Sequence, residues 1–124
     1  MAKIFLDANA FIDLIEKRAH FDEADLIGNL LFISPLSIHI ISYLYKYSML
    51  EDKLKNLHEV FTIIPVVQQV VFNALNGPTI DFEDNVQLHS ALDAECDIFL
   101  TQDAKLLDMK FFGDIQIQSK LIKT

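Results

Sequence analysis

Short apolar, β-favouring runs alternate along this chain with longer stretches of helical period. "KIFL" stops at Asp7, "VFTIIP" closes on a proline, "DIFL" leads into Thr101, and "IQIQ" lies near the end. The segments between these runs are too long for hairpin turns. Strands joined through helices pair in parallel, so the pattern predicts an α/β domain with a mainly parallel central sheet. Three glycines and three prolines leave few places to turn, and no repeat or linker interrupts the chain. Residues 1–124 therefore read as a single domain.

The helices follow from spacing. Ala10 to Lys17 carries Phe11, Leu14 and Ile15 on one face. Asp22 can cap a helix through Leu31, with Phe32 and Ile33 as a short strand or turn. Ser34 can cap a helix over Leu36 to Ser48, with Pro35 in its first turn. That helix has one stripe of Leu36, Ile40, Tyr43, Leu44 and Tyr47 and a second of Ile38, Ile41 and Tyr45. It is thus deeply buried or lies at a subunit interface. Glu51 to Glu59 is a short polar helix, and Val66 to Leu75 stops at Asn76-Gly77-Pro78. Asp81 to Glu95 is a helix, and another begins at Lys105. On the Asp81 helix, Glu83, Gln87 and Ser90 form a stripe that reads as solvated surface.

Composition removes several functions. Eighteen Asp and Glu face ten Lys and Arg, for a net charge of −8, which argues against a general polyanion-binding surface. The single cysteine, Cys96, excludes an internal disulfide and a CxxC zinc site. It suits a small buried residue in a reducing cytoplasm. Asp7 and Asp13 interrupt any secretory apolar core. The longest apolar stretch, Leu30 to Tyr45, contains Pro35, His39 and three serines and is too short to span a bilayer. There is no phosphate-cradling glycine loop, no GxSxG and no HExxH.

The carboxylates carry more information. Parallel α/β sheets place their sites at the carboxyl ends of strands. "KIFLD" ends at Asp7 and "DIFLTQD" reaches Asp103, so both acids fall at one sheet edge if the strands are neighbours. Either alone could simply cap the helix that follows. In "TIDFEDNVQLHSAL", Asp81 suits an N-cap, while Asp84 leads the apolar stripe of Leu88, Ala91 and Leu92. Three carboxylates around one cleft need a counter-charge, and Mg²⁺ or Mn²⁺ with oxygen ligands would provide it.

These segments, in this order, resemble PIN domains, the fold of the VapC-like toxins and related metal-dependent ribonucleases. "FLDANAFIDLI" is similar to the family's strand–Asp-x-Asn–helix opening, and "DFEDNVQLHSALDAECDIFLTQD" to its third-acid helix and Thr-x-Asp strand. The resemblance covers nearly the whole chain. It implies a PIN-like three-layer α/β/α fold and a cytoplasmic Mg²⁺- or Mn²⁺-dependent endoribonuclease. Asp7, Asp84 and Asp103 would be the catalytic and metal-binding acids. Asn9 would support the first loop, Thr101 would orient the last acid through its hydroxyl, and Asp81 would add a carboxylate if it does not cap. Implied partners are single-stranded or tRNA-like RNA, an antitoxin and a second copy in a homodimer, with no membrane. Lys3, Lys17 and Lys105 would flank the mouth.

One position departs from the pattern. Family members with activity usually carry a Glu six residues after a Ser on the helix following the second strand, and here Ile40 stands there. His39, offset by about 100° on a helix, is no like-for-like replacement. The alternative is therefore a catalytically impaired PIN-like module that binds a protein partner. A receiver-like signalling domain is a third class. It needs paired acids after the first strand, and Asp7 has no acidic neighbour.

Overall fold

The computed structural model describes residues 1–16, 26–46 and 52–121. Six strands form one sheet: β1 (Lys3–Leu6), β2 (Leu30–Ile33), β3 (Phe61–Ile63), β4 (Ile98–Leu100), β5 (Phe111–Phe112) and β6 (Ile115–Gln118). Their spatial order is β3-β2-β1-β4-β6-β5. Every pairing is parallel except the β5–β6 hairpin. The helices are α1 (Ala8–Ile15), α2 (Pro35–Tyr45), α3 (Asp52–Lys55), α4 (Gln68–Leu75), α5 (Phe82–Asp93) and α6 (Ala104–Met109). The mainly parallel α/β architecture expected from the sequence is the one observed.

The sheet is covered on both faces, which explains why its strands are continuously apolar rather than alternating. Ile4, Leu6, Ile33 and Leu100 pack on one face with Phe11 of α1 and Ile41 of α2. Phe5, Phe32, Phe99 and Ile117 pack on the other with Leu88 and Ala91 of α5 and Leu106 of α6. Phe5 and Phe99 stack at a centroid distance of 5.4 Å. A third, smaller cluster joins Val70 and Ala74 of α4 to Val86 of α5, with Leu36 of α2 against it. α5 is thus enclosed between the sheet and α4.

Local chemistry sets the helix ends. Asp7, Ser34, Asp81 and Asp103 each cap the helix that follows by accepting a backbone N–H. Pro35 occupies the first turn of α2, where no backbone donor is needed. The stop after α4 includes Gly77 at φ 123°, a backbone angle that suits glycine.

Several expectations need correction. Leu30 and Leu31 lie in β2 and not in a helix, whereas residues 22–25 of the expected helix fall outside the described residues. The expected polar helix after residue 50 is α3 plus a separate 3-10 turn, Leu57–Glu59. Along α2, Tyr43 and Leu44 are exposed while Ser37 and Ile41 are buried, so only one side of that helix faces the core. Tyr47 and Ser48 lie outside the described residues. On α5, Gln87 and Ser90 are buried and not solvated; Gln87 meets Ser37 of α2 there. Glu83 is exposed, as its stripe suggested.

Candidate active site

Adjacent strands β1 and β4 run in register, Leu6 opposite Leu100. The residues that follow them, Asp7 and Thr101, therefore emerge side by side at the carboxyl edge of the sheet. The Asp7 backbone N–H still continues the ladder, donating to the Leu100 carbonyl at 3.1 Å. Asp7 is only 6% exposed. Its Oδ1 accepts from the Ala10 amide at 2.8 Å, and its Oδ2 accepts from the Thr101 hydroxyl.

Thr101 works in two directions. Its Oγ1 donates to Asp7 and accepts the Asp103 amide at 3.0 Å. A single hydroxyl thus ties the first acid to the loop that carries the last one. Asp103 in turn accepts from the Lys105 amide at 2.8 Å, which holds its carboxylate at the start of α6. Thr101 was expected to orient Asp103 with its hydroxyl. It meets the Asp103 backbone and aims its proton at Asp7.

Asp84, in the first turn of α5, lies within electrostatic reach of Asp7 and Asp103. Its backbone N–H donates to Asp81 Oδ1 at 3.0 Å. Its partly buried carboxylate accepts no hydrogen bond from any described residue whose contacts are resolved. Desolvation, then Asp81, Asp103, Asp7 and Glu83, push Asp84 up to about 6. Burial pushes Asp7 up to about 6 as well. The Thr101 and Ala10 hydrogen bonds oppose that rise, while the charges on Asp103 and Asp13 add to it. Asp13, one and a half turns along α1, belongs to this electrostatic neighbourhood and was not singled out from sequence.

Charges interact over many ångströms, whereas a coordination sphere needs oxygens about 2 Å from one point. The acids sense one another, yet among the described residues no three acidic, histidine or cysteine side chains are gathered tightly enough to grip one ion. The fit to a hard divalent cation is one of donor type and charge. The oxygens are carboxylate, the negative charge is concentrated, and the groups acting most strongly on Asp7 and Asp84 include no cation.

The other positions separate clearly. Asp81 is exposed and engaged as the α5 cap, so it is not free to serve as an additional acid. Asn9 lies in α1, exposed, rather than bracing a loop; the Asp7–Thr101 bond performs that closure. Ile40 packs against the α1–α2 core, and His39 beside it is exposed. Lys3 is at the wrong end of β1 for the mouth, where its Nζ donates to the Ala94 carbonyl at 2.6 Å. Lys105 is exposed on α6 next to Asp103, and Lys17 lies outside the described residues. Cys96 is buried, and burial pushes its thiol up to about 12. A groove of about 600 Å³ near Leu14, Leu26 and Phe61 opens at the opposite, amino edge of the sheet.

No described helix is long and apolar enough to cross a membrane. No family model matches the sequence, and no curated protein does. Among solved structures, the chain is similar to one in the crystal structure of VapBC2 from Rickettsia felis bound to a DNA fragment from their promoter. The TM-score is 0.68 at 16% identity, covering 94% of this chain and 97% of that one. At that identity the two share a fold, which agrees with the PIN-like α/β/α arrangement described above.

Proposed function

We propose that this protein is a PIN-type endoribonuclease that depends on Mg²⁺ or Mn²⁺ and acts in the cytoplasm as the toxin of a toxin–antitoxin pair. The observation that carries the reading is electrostatic: the charges of Asp7 and Asp103, which follow neighbouring strands, both act on Asp84, and Asp7 and Asp84 are each raised to about 6. Such a cluster is unfavourable in the empty protein, which is the expected state of a site built around positive charge.

Asp7, Asp84 and Asp103 would hold the ion. Bound there, it supplies the positive charge that activates water and offsets the charge developing on a scissile phosphate. The chain's own part is placement. Thr101 and the Ala10 amide fix both oxygens of Asp7. The Lys105 amide fixes Asp103. Asp84 keeps its oxygens free on the rim. Phosphate approaches an uncompensated anionic edge unfavourably, so these residues bind RNA only with the cation in place. Single-stranded or tRNA-like RNA fits best, since its backbone can enter a narrow acidic edge.

Ile40 lowers the turnover, because α2 carries an apolar side chain at the position where active PIN domains usually carry an acid. This same residue supports a second reading, a PIN-like protein-binding module. An antitoxin partner is supported by the fold shared with VapBC2. A homodimer is supported by the exposed Tyr43, Leu44, Phe72 and Leu75. The test is cleavage of single-stranded RNA and tRNA with Mn²⁺. The proposal expects metal-dependent cleavage that Asp7→Asn reduces at least about 100-fold. No cleavage by the metal-loaded protein, with Asp7→Asn identical, would leave the binding-module reading.

A further inference from the structure

Gln87 is 2% exposed on α5, one turn inward of Asp84. Its Nε2 donates to Ser37 Oγ at 3.2 Å, a buried contact between side chains fifty positions apart. Among the described residues its Oε1, buried, has no partner. Reversing the amide would let the oxygen accept from Ser37 and would orphan the NH₂ group instead. In either orientation half of the amide stays unsatisfied. Apolar side chains at positions 87 and 37 together would avoid that penalty, so stability does not account for this polar pair.

The residue's place in the fold offers a different account. Ser37 stands in the first turn of α2, and its N–H donates to the Ser34 carbonyl at 3.0 Å. Ser34 follows β2 where Asp7 follows β1, on paired strands whose register runs Phe5 opposite Phe32. The link therefore runs from Asp84, along one turn of α5, through the Gln87 amide to Ser37, and on to the strand end beside Asp7. Leu36 and Val86 pack along the same line. α2 supplies no acid to the site, since Ile40 stands there, partly buried against the core. It supplies this polar tie instead.

We infer that Gln87 is a positioning residue. Its amide, held by Ser37, sets the separation between the Asp84 rim and the Asp7 strand end, and so governs how well the cluster closes on a divalent cation. This rests on the cation site proposed above. The orphaned half of the amide is the structural cost of keeping that tie at a buried position.

The test uses Mn²⁺ alone as the probe, with free Mn²⁺ counted by electron paramagnetic resonance and metal-free stability followed in urea. Gln87→Met should bind Mn²⁺ about tenfold more weakly, the loss typical of a residue that orients a ligand. The double variant Gln87→Met/Ser37→Ala, which leaves neither partner buried alone, should keep the urea midpoint of the wild type without metal. A merely structural glutamine would lower the midpoint instead. Ser37→Ala should weaken binding to the same degree, and the double variant should be no weaker than either single one. Wild-type affinity in both single variants, or losses that multiply in the double, would overturn the inference. If wild type binds, Asp84→Asn does not, and Gln87→Met matches wild type, this inference alone fails. If wild type and Asp84→Asn are equally without affinity, the cation site fails and this inference with it.

Discussion

Replacing Asp7 by Asn should stabilise the metal-free protein at neutral pH. Asp7 titrates at about 6 in the fold against an ordinary 3.8. A rise of about 2 units corresponds to about 3 kcal/mol of unfavourable charge burial above pH 6. Asparagine removes that charge, and its Oδ1 can still cap α1 through the Ala10 amide. The Thr101 hydroxyl must then accept from the new NH₂ group instead of donating, which costs about 1 kcal/mol. The net gain is about 1–2 kcal/mol, or a rise in Tm of about 5 °C for a chain of this size.

The pH dependence gives the sign. A carboxyl raised in the native state favours folding when protonated. Its contribution is complete below about pH 4, declines as pH climbs towards 6, and is gone above that. The wild type should therefore lose stability more steeply across that window than Asp7→Asn, which keeps only the contribution of Asp84, and the two curves should cross near about pH 5, with the wild type ahead by about 1 kcal/mol below pH 4. Urea unfolding in EDTA at a series of pH values measures this. An Asp7→Asn variant less stable than wild type by the same margin at pH 4.5 and pH 8 would refute the reasoning and make Asp7 a purely structural cap.

Further outcomes follow from the same site. Thr101→Val removes the hydroxyl that steadies the Asp7 carboxylate and receives the Asp103 amide. It should lower neutral-pH stability by about 1–3 kcal/mol in urea and push the Asp7 titration, followed by carboxyl NMR, still higher. Ile40→Glu should raise Mn²⁺-dependent RNA cleavage, yet lower the metal-free Tm, because it withdraws an apolar side chain from the α1–α2 core. Cys96, buried with its thiol raised to about 12, should react with a thiol reagent at pH 8 only as fast as the protein opens, and at full rate in denaturant.

The parts of the fold built from strong local signals could be read from the chain. β1 and β4 are short, apolar on both faces and followed by polar residues, so the edge bearing Asp7, Thr101 and Asp103 is legible in the sequence. α5 was visible from its cap and from Leu88 and Ala91. The failures have distinct physical causes. β5 is only two residues long and turns at Gly113 (φ 61°), too short for any period to register. Leu30 and Leu31 continue an apolar run that fits a helix as well as a strand, and only pairing with β1 decides between them. Gln87 and Ser90 looked solvated because polarity usually marks a surface. α5 is covered on two sides, so a polar residue there meets another helix rather than water. Asn9 was expected to support the first loop, but Asp7 caps α1 so that the helix starts at Ala8, two residues before the expected Ala10, and takes in Asn9. The tie from Thr101 to Asp7 depends on strand order, which spacing alone does not contain.

The central claim is that Asp7, Asp84 and Asp103 form one cation site at the carboxyl edge of the sheet. A crystal soaked in Mn²⁺ and measured at the manganese absorption edge tests it directly. The account predicts anomalous density between these three carboxylates, with Asp84 drawn towards Asp7 and Asp103. Density confined to the exposed Asp81 and Glu83 rim, or none at millimolar Mn²⁺, would contradict it.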